Sequence, residues 1–313
     1  MKTILFLFLS LTFCMLTNSK LSFAYASLGL ELWFQKMIPA LLPFMILSGI
    51  VVRLRLTEKI SIVLYPALGP IFRVRKNVIY CIMLGFLCGF PMGAKVTADM
   101  LEHNLLTQKE GEYLLAFCNN IGPIYFCSFV LPLLGRQLTF PYLFGMYGIP
   151  LLYGILLRYT LFKNVLSTND SSVSFVQKTE ILSHPKNICL GMPEALDESV
   201  AVSLQSILTL GGYMILFNLL NLIPHMILGK TPVLFAPLFE ITGGLSMLGG
   251  KFPLYSLMVL SFGGLSCIAQ TYSCIRKTNL SITNYIFHKV ILTILTGVFY
   301  LGWFLFSPES FLR

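Results

Sequence analysis

The chain has 313 residues, 56% of them hydrophobic and 11% charged, with a formal net charge of +9. A soluble domain carries roughly 25% charged residues, so a mean hydropathy of +0.79 excludes a water-solvated globule and places the chain in lipid. The basic residues are scattered, with no basic and aromatic tract. That excludes a nucleic-acid surface and instead reports basic cytoplasmic loops.

A spanning helix needs about 20 apolar residues, and several runs meet or approach that length. The alternating short strands of an outer-membrane barrel are absent. The expected fold is all-α: a polytopic helical membrane protein with about eight spanning or re-entrant segments. It is expected to form two internally related halves that contain broken or re-entrant helices.

Residues 1–27 hold Lys2, an apolar run over 4–16 and the triplet Ala24-Tyr25-Ala26. The run suits an uncleaved first span. The triplet suits a signal-peptidase site and a removed signal, and both readings stand. A first transmembrane half follows over 28–157. Its opening stretch, 28–35, carries Glu31 and Trp33 and reads as interfacial, with Trp33 at headgroup level. An apolar run over 37–52 contains Pro39 and Pro43 and ends on Arg53, Arg55 and Lys59. A shorter run over 60–72 contains Pro66 and Pro70 and is closed by Arg73, Arg75 and Lys76. Two basic clusters around a run too short to span put both clusters in the cytoplasm, with the run as a re-entrant or surface hairpin.

The stretch that organises the chain is Gly85-Phe86-Leu87-Cys88-Gly89-Phe90-Pro91-Met92-Gly93-Ala94-Lys95-Val96-Thr97. It begins inside an apolar run over 78–94. Proline removes a backbone donor and glycine weakens a helix. Freed backbone groups at membrane depth are tolerated only where they pack in protein or line a wet cavity. One reading is a kinked packing helix whose small residues allow close approach. The other is a broken helix of the kind that builds a transporter's midplane site. On that reading Gly89, Pro91, Gly93 and Lys95 are candidate substrate-binding residues. Lys95 beside a half-helix N-terminus suits an anionic solute. Asp99, one turn on, is its local ion-pair candidate and also a candidate for binding a coupling ion.

The uncharged run over 113–135 contains Cys118-Asn119-Asn120-Ile121-Gly122-Pro123, a second break. Amides in lipid face the bundle interior, so Asn119 and Asn120 join the substrate-binding candidates. Residues 137–157 read as a plain span. Residues 158–198 form a hydrophilic linker, flexible over the Ser-, Thr-, Asn- and Asp-rich 167–174.

The second half, 199–313, opens with an uncharged run over 199–229. A run over 231–250 has Glu240-Ile241-Thr242-Gly243-Gly244 at its middle, and Glu240 is the only acid between Glu198 and Glu309. An intramembrane ionisable residue costs roughly 2.5 kcal/mol or more to insert and is a functional hypothesis by default. Glu240 and Thr242 are therefore candidates for a coupling proton or sodium ion. A structural salt bridge, a pair with Lys95 or an interfacial carboxylate are the alternatives for Glu240. Next, Ser261-Phe262-Gly263-Gly264-Leu265-Ser266-Cys267-Ile268-Ala269-Gln270 echoes the first break at a constant offset. Gly89 meets Gly264, Ala94-Lys95 meets Ala269-Gln270, and Asn104-Leu105 meets Asn279-Leu280. Paired glycine-interrupted segments in two halves point to a transporter site and add Ser266 and Gln270 to the substrate-binding candidates. For Gln270, hydrogen-bonded glue between helices is the alternative. The final span covers 290–307, with Tyr300 and Trp303 as interfacial anchors.

The eight cysteines form no C-x-x-C and no plausible zinc pairing, and H-E-x-x-H, G-x-S-x-G and Walker A patterns are absent. No metal, no cofactor and no enzymatic activity is expected. The expected partners are the lipid bilayer, a small anionic solute and a coupling proton or sodium ion, with a homo-oligomer left open.

Several blocks together resemble the nucleoside-recognition, or Gate, domain membrane proteins, most of all their sporulation group. They are Leu32-Trp33, Pro39-Ala40-Leu41-Leu42-Pro43-Phe44, Phe72-Arg73-Val74, Gly89-Phe90-Pro91-Met92-Gly93-Ala94-Lys95, Asn119-Asn120-x-Gly122-Pro123, and Phe262-Gly263-Gly264-Leu265-Ser266 with Gln270. The resemblance spans about 32–275. It implies a multispan cell-membrane protein distantly similar to concentrative nucleoside transporters. In endospore formers it implies a role in moving dipicolinic acid towards the forespore, in a cell or forespore membrane. A nucleoside-type transporter and a non-transporting scaffold of a sporulation membrane complex are the alternatives. The family often has an acid where this chain has Tyr65 before Pro66, so a first-half counterpart of Glu240 is missing.

Overall fold

The computed structural model describes residues 2–163 and 191–307, and all regular structure among them is helical. Five helices are long and apolar enough to cross a bilayer: Ser19–Arg53, Phe140–Tyr159, Met192–Leu228, Pro253–Ile275 and Ile282–Phe306. Shorter apolar helices cover Phe8–Thr17, Lys76–Cys88 and Pro123–Leu133. Many large apolar side chains on these helices are exposed, such as Phe23, Leu208, Phe287 and Val298. A polytopic helical membrane protein accounts for that surface, since lipid solvates it.

In chain order the elements are α1 (Lys2–Thr17), α2 (Ser19–Arg53), α3 (Thr57–Ser61), α4 (Tyr65–Phe72), α5 (Lys76–Cys88), α6 (Met92–Glu102), α7 (Gln108–Phe117), α8 (Pro123–Leu133) and α9 (Phe140–Tyr159). After the undescribed stretch come α10 (Met192–Leu219), α11 (Leu222–Leu228), α12 (Ala236–Phe239), α13 (Ile241–Leu248), α14 (Pro253–Phe262), α15 (Gly264–Ile275) and α16 (Ile282–Phe306). The expected flexible segment 167–174 lies outside the described residues. Helix enters the expected linker from both ends, however. Arg158 belongs to the last turn of α9, and Glu198 lies in the early turns of α10.

Three helices contain a π-helical turn, and each turn ends two residues before a proline. Trp33–Met37 precedes Pro39, Phe126–Val130 precedes Pro132, and Phe144–Gly148 precedes Pro150. Proline offers no N–H to the carbonyl four residues back, and its ring crowds that carbonyl. The turn before each proline is widened, so that the N–H just ahead of the proline bonds the carbonyl five residues back. Ile38 N–H bonds Trp33 O, Leu131 N–H bonds Phe126 O, and Ile149 N–H bonds Phe144 O.

One such turn corrects the reading of 28–35 as interfacial. These residues lie inside the continuous 35-residue helix α2. Trp33 is packed between helices: its indole N–H donates to Ile207 O of α10 at 2.9 Å, and its ring occupies the space left by Gly211. Tyr300 is likewise no interfacial anchor. It is fully buried over Gly145 of α9, and its hydroxyl donates to Tyr142 O at 3.1 Å. In both cases a glycine on the facing helix provides the slot for the ring, and hydrophobicity alone does not show that.

The loop side is held by charged locks. Arg75, before α5, grips Glu110 through both carboxylate oxygens, with Nε at 2.9 Å from Oε1 and Nη2 on Oε2. Glu110 also closes a capping box with Thr107 at the start of α7. Arg158 donates to Phe72 O at 2.8 Å and Arg73 O at 3.0 Å, tying α9 to the end of α4. Glu110 is buried, and its removal takes both carboxylate oxygens from the Arg75 guanidinium. Glu110→Ala is expected to lower stability by about 3–5 kcal/mol, read as a drop in the melting temperature of detergent-purified protein. An unchanged melting temperature would mean the lock holds nothing.

Candidate functional site

Four interruptions of the helices meet in the middle of the molecule. The first separates α5 from α6 at Gly89, whose φ of 83° and ψ of −163° suit glycine alone. The second is the non-helical stretch 118–122 between α7 and α8. These two cross backbone on backbone. A Cβ at Gly89 would lie 2.2 Å from Gly122 N, and one at Gly93 would lie 2.5 Å from Cys118 O. The third interruption is Glu240, between α12 and α13, and the fourth is Gly263, at φ 82°, between α14 and α15. They also cross, with Pro237 O 2.8 Å from a Cβ built on Gly264. Phe90 joins the two crossings, its ring 2.9 Å from a Cβ built on Gly263.

Two neighbouring cavities lie at this junction. An inner chamber of about 50 Å³ is lined by Phe90, Tyr125, Glu240, Thr242, Cys267 and Gln270, among mostly apolar neighbours. A vestibule of about 500 Å³ is lined by Arg53, Lys95, Asp99, Glu198, Gln270 and Arg276, among others. Leu210 and Gln270 belong to both walls and stand between the two cavities.

Glu240 is 1% exposed and caps α13. Its Oε1 accepts from Thr242 N at 3.2 Å, and its Oε2 accepts from Gly243 N at 2.6 Å and Asn218 Nδ2 at 3.3 Å. A carboxylate suits the positive end of the helix. Glu240 does not pair with Lys95, which instead donates to Asp99 at 2.5 Å across one turn, in the vestibule wall. Thr242 and Tyr125 bring two further hydroxyls to the chamber wall. Gln270 donates to Ser266 Oγ at 2.9 Å, so Ser266 stands behind Gln270 and outside both cavity walls.

Asn119 and Asn120 act as stitches. Asn119 Oδ1 accepts from Ala94 N at 3.4 Å, and its Nδ2 donates to Thr271 Oγ1 at 2.9 Å and to the Tyr285 hydroxyl at 3.2 Å. Asn120 Nδ2 donates to Phe117 O at 2.5 Å, and its Oδ1 accepts from Lys289 Nζ at 3.0 Å. The structure thus brings Lys95, Asp99, Pro91, Gln270, Glu240 and Thr242 to two neighbouring cavities. Asn119, Asn120 and Ser266 support those walls from behind, and Gly89 and Gly93 shape the crossing.

Sequence reasoning missed Lys289, Asn218 and Tyr125. Lys289 is 2% exposed and lies inside the last span, Ile282–Phe306. A hydropathy reading starts that span after the last charge, which turns Lys289 into a flank. Among the described residues no group of three or more His, Cys, Asp or Glu gathers as metal ligands would.

No family model matches the chain, and no solved structure matches it. It is similar to the sporulation integral membrane protein YlbJ of Bacillus subtilis (strain 168), at 24% identity over 329 aligned positions covering 93% of this chain and 80% of that protein. Together with the spans, this similarity makes the chain an integral multi-pass membrane protein homologous to a sporulation integral membrane protein.

Proposed function

We propose that the protein transports a small anionic aromatic solute, such as dipicolinate, across a membrane during sporulation. The observation that carries this reading is the pair of cavities that share Gln270 and Leu210 in their walls where four broken helices cross. Soluble ligands need a cavity of about 300–1,000 Å³. The vestibule is of that size and the inner chamber is not, so the arrangement suits a carrier occluded between loading and passage. In the vestibule Arg53, Lys95, Arg276 and Lys277 stand against Asp99, Glu102 and Glu198, an excess of cations that favours anions. Arg53 and Arg276 end helices on the vestibule side, which is therefore the cytoplasmic side.

The order of elements supports two related halves. The short helices α3 and α4, the broken pair α5 and α6, and then α7 run parallel in sequence to α12 and α13, α14 and α15, and α16. Glu240, with Thr242 beside it, is the site for a coupling proton or sodium ion, and Asp99 tunes the vestibule. The motif likeness to Gate-domain proteins and the similarity to YlbJ agree with this role.

Purified protein in liposomes tests the proposal with labelled dipicolinate, a nucleoside and a neutral aromatic, with and without proton or sodium gradients. The expected result is gradient-dependent uptake of the dianion, reduced about tenfold or more by Lys95→Ala and by Gln270→Ala. Uptake of none of these solutes would leave the scaffold reading, and full activity in both variants would displace the site.

A further inference from the structure

Lys289 is the buried ionisable group that the two cavity walls leave unexplained. It sits in α16 with 2% exposure. The ion pairs among the described residues are Arg53–Glu198, Arg75–Glu110 and Lys95–Asp99, and none involves it. Its ammonium donates to Asn120 Oδ1 at 3.0 Å and lies 4.4 Å from the centre of the Phe90 ring. An amide oxygen and an aromatic face satisfy part of an ammonium, but neither supplies a counter-charge. A lone charge so deep is expensive, and in membrane proteins such residues mark solute or ion paths.

The place of Lys289 gives it a target. Phe90 lines the inner chamber, so one aromatic ring separates that chamber from the ammonium. Cys267, also in the chamber wall, lies within electrostatic range of both Glu240 and Lys289. Phe90 belongs to the non-helical link between α5 and α6.

We propose that Lys289 is the counter-charge for a carboxylate group of the transported solute, reached from the inner chamber when the Phe90 ring turns aside. The proposal rests on the transport reading for its solute but is measurable without transport. Asn120 is then a positioning residue that holds the ammonium against the chamber, and the aromatic ring of the solute replaces the contact that Phe90 gives up.

The test is equilibrium binding to detergent-purified protein, by calorimetry, of pyridine-2,6-dicarboxylate and its neutral dicarboxamide. Wild type is expected to bind the dianion at least tenfold more tightly than the dicarboxamide. Lys289→Gln, which can still donate to Asn120, is expected to weaken dianion binding about 30-fold or more and to leave dicarboxamide binding within threefold. Lys289→Met, an apolar side chain of similar length, is the second variant should the first not fold, with folding checked by thermal unfolding. A folded variant that binds the dianion within threefold of wild type overturns the proposal, and so does a wild type that does not prefer the dianion. Dianion binding that depends on Lys289, without uptake in liposomes, supports the proposal and defeats the transport reading instead.

Discussion

Gly89→Ala is expected to destabilise the protein strongly, by about 2–6 kcal/mol. Two penalties combine there. The backbone at φ 83° and ψ −163° lies in a region essentially reserved for glycine, worth about 1–3 kcal/mol of strain for any other residue. The added Cβ would also sit 2.2 Å from Gly122 N and 2.6 Å from Gly122 Cα. Those are backbone atoms of the crossing strand, which cannot rotate away, and overpacking adds about 1–3 kcal/mol. Against a total stability of about 5–15 kcal/mol, a combined loss of about 2–6 kcal/mol is a large share. Gly212 is the matched control, because a Cβ there meets nothing within 4 Å inside a helix. Gly212→Ala is expected to be neutral or to stabilise by up to about 1 kcal/mol. Monodisperse recovery and melting temperature in detergent check both. A Gly89→Ala protein that melts with the wild type would mean the two broken helices do not cross as described.

Glu240→Ala is expected to fail in two ways that Glu240→Gln separates. Alanine leaves Thr242 N–H and Gly243 N–H without their acceptor in a buried site, while the Asn218 amide keeps only Met214 O. Unsatisfied donors at membrane depth cost several kcal/mol each, so a loss of at least about 3 kcal/mol is expected together with loss of uptake. Glutamine keeps one acceptor oxygen for the helix cap and removes the charge. Glu240→Gln is therefore expected to fold, with a melting temperature well above that of Glu240→Ala. Its liposome uptake should no longer respond to an imposed proton or sodium gradient. Uptake by Glu240→Gln that still follows the gradient would reduce Glu240 to a cap.

Much of the scaffold was legible in the residues. The interruptions fall at Gly89, Asn119-Asn120, Glu240 and Gly263-Gly264 because glycine and proline act on the backbone within a few positions of themselves. Lys95–Asp99 was legible for the same reason, since a spacing of four fixes a helical pair. The π-helical turns obey a local rule too, the one imposed by Pro39, Pro132 and Pro150. The paths of Trp33 and Tyr300 were not legible. Each is set by a glycine on another helix, Gly211 and Gly145.

The sequence by itself determined that this chain lives in lipid, that it is helical, and where its helices break, because hydropathy and backbone freedom belong to each residue and its near neighbours. Only the tertiary structure decided which polar groups face a cavity and which are consumed in holding it. Asn119 reaches Thr271 and Tyr285, Asn120 meets Lys289, and Glu240 turns to its own helix and to Asn218, leaving Lys95 to Asp99. The physical reason is that a buried polar group must find a partner, and that partner is chosen by distance in space, across separations that no local pattern encodes.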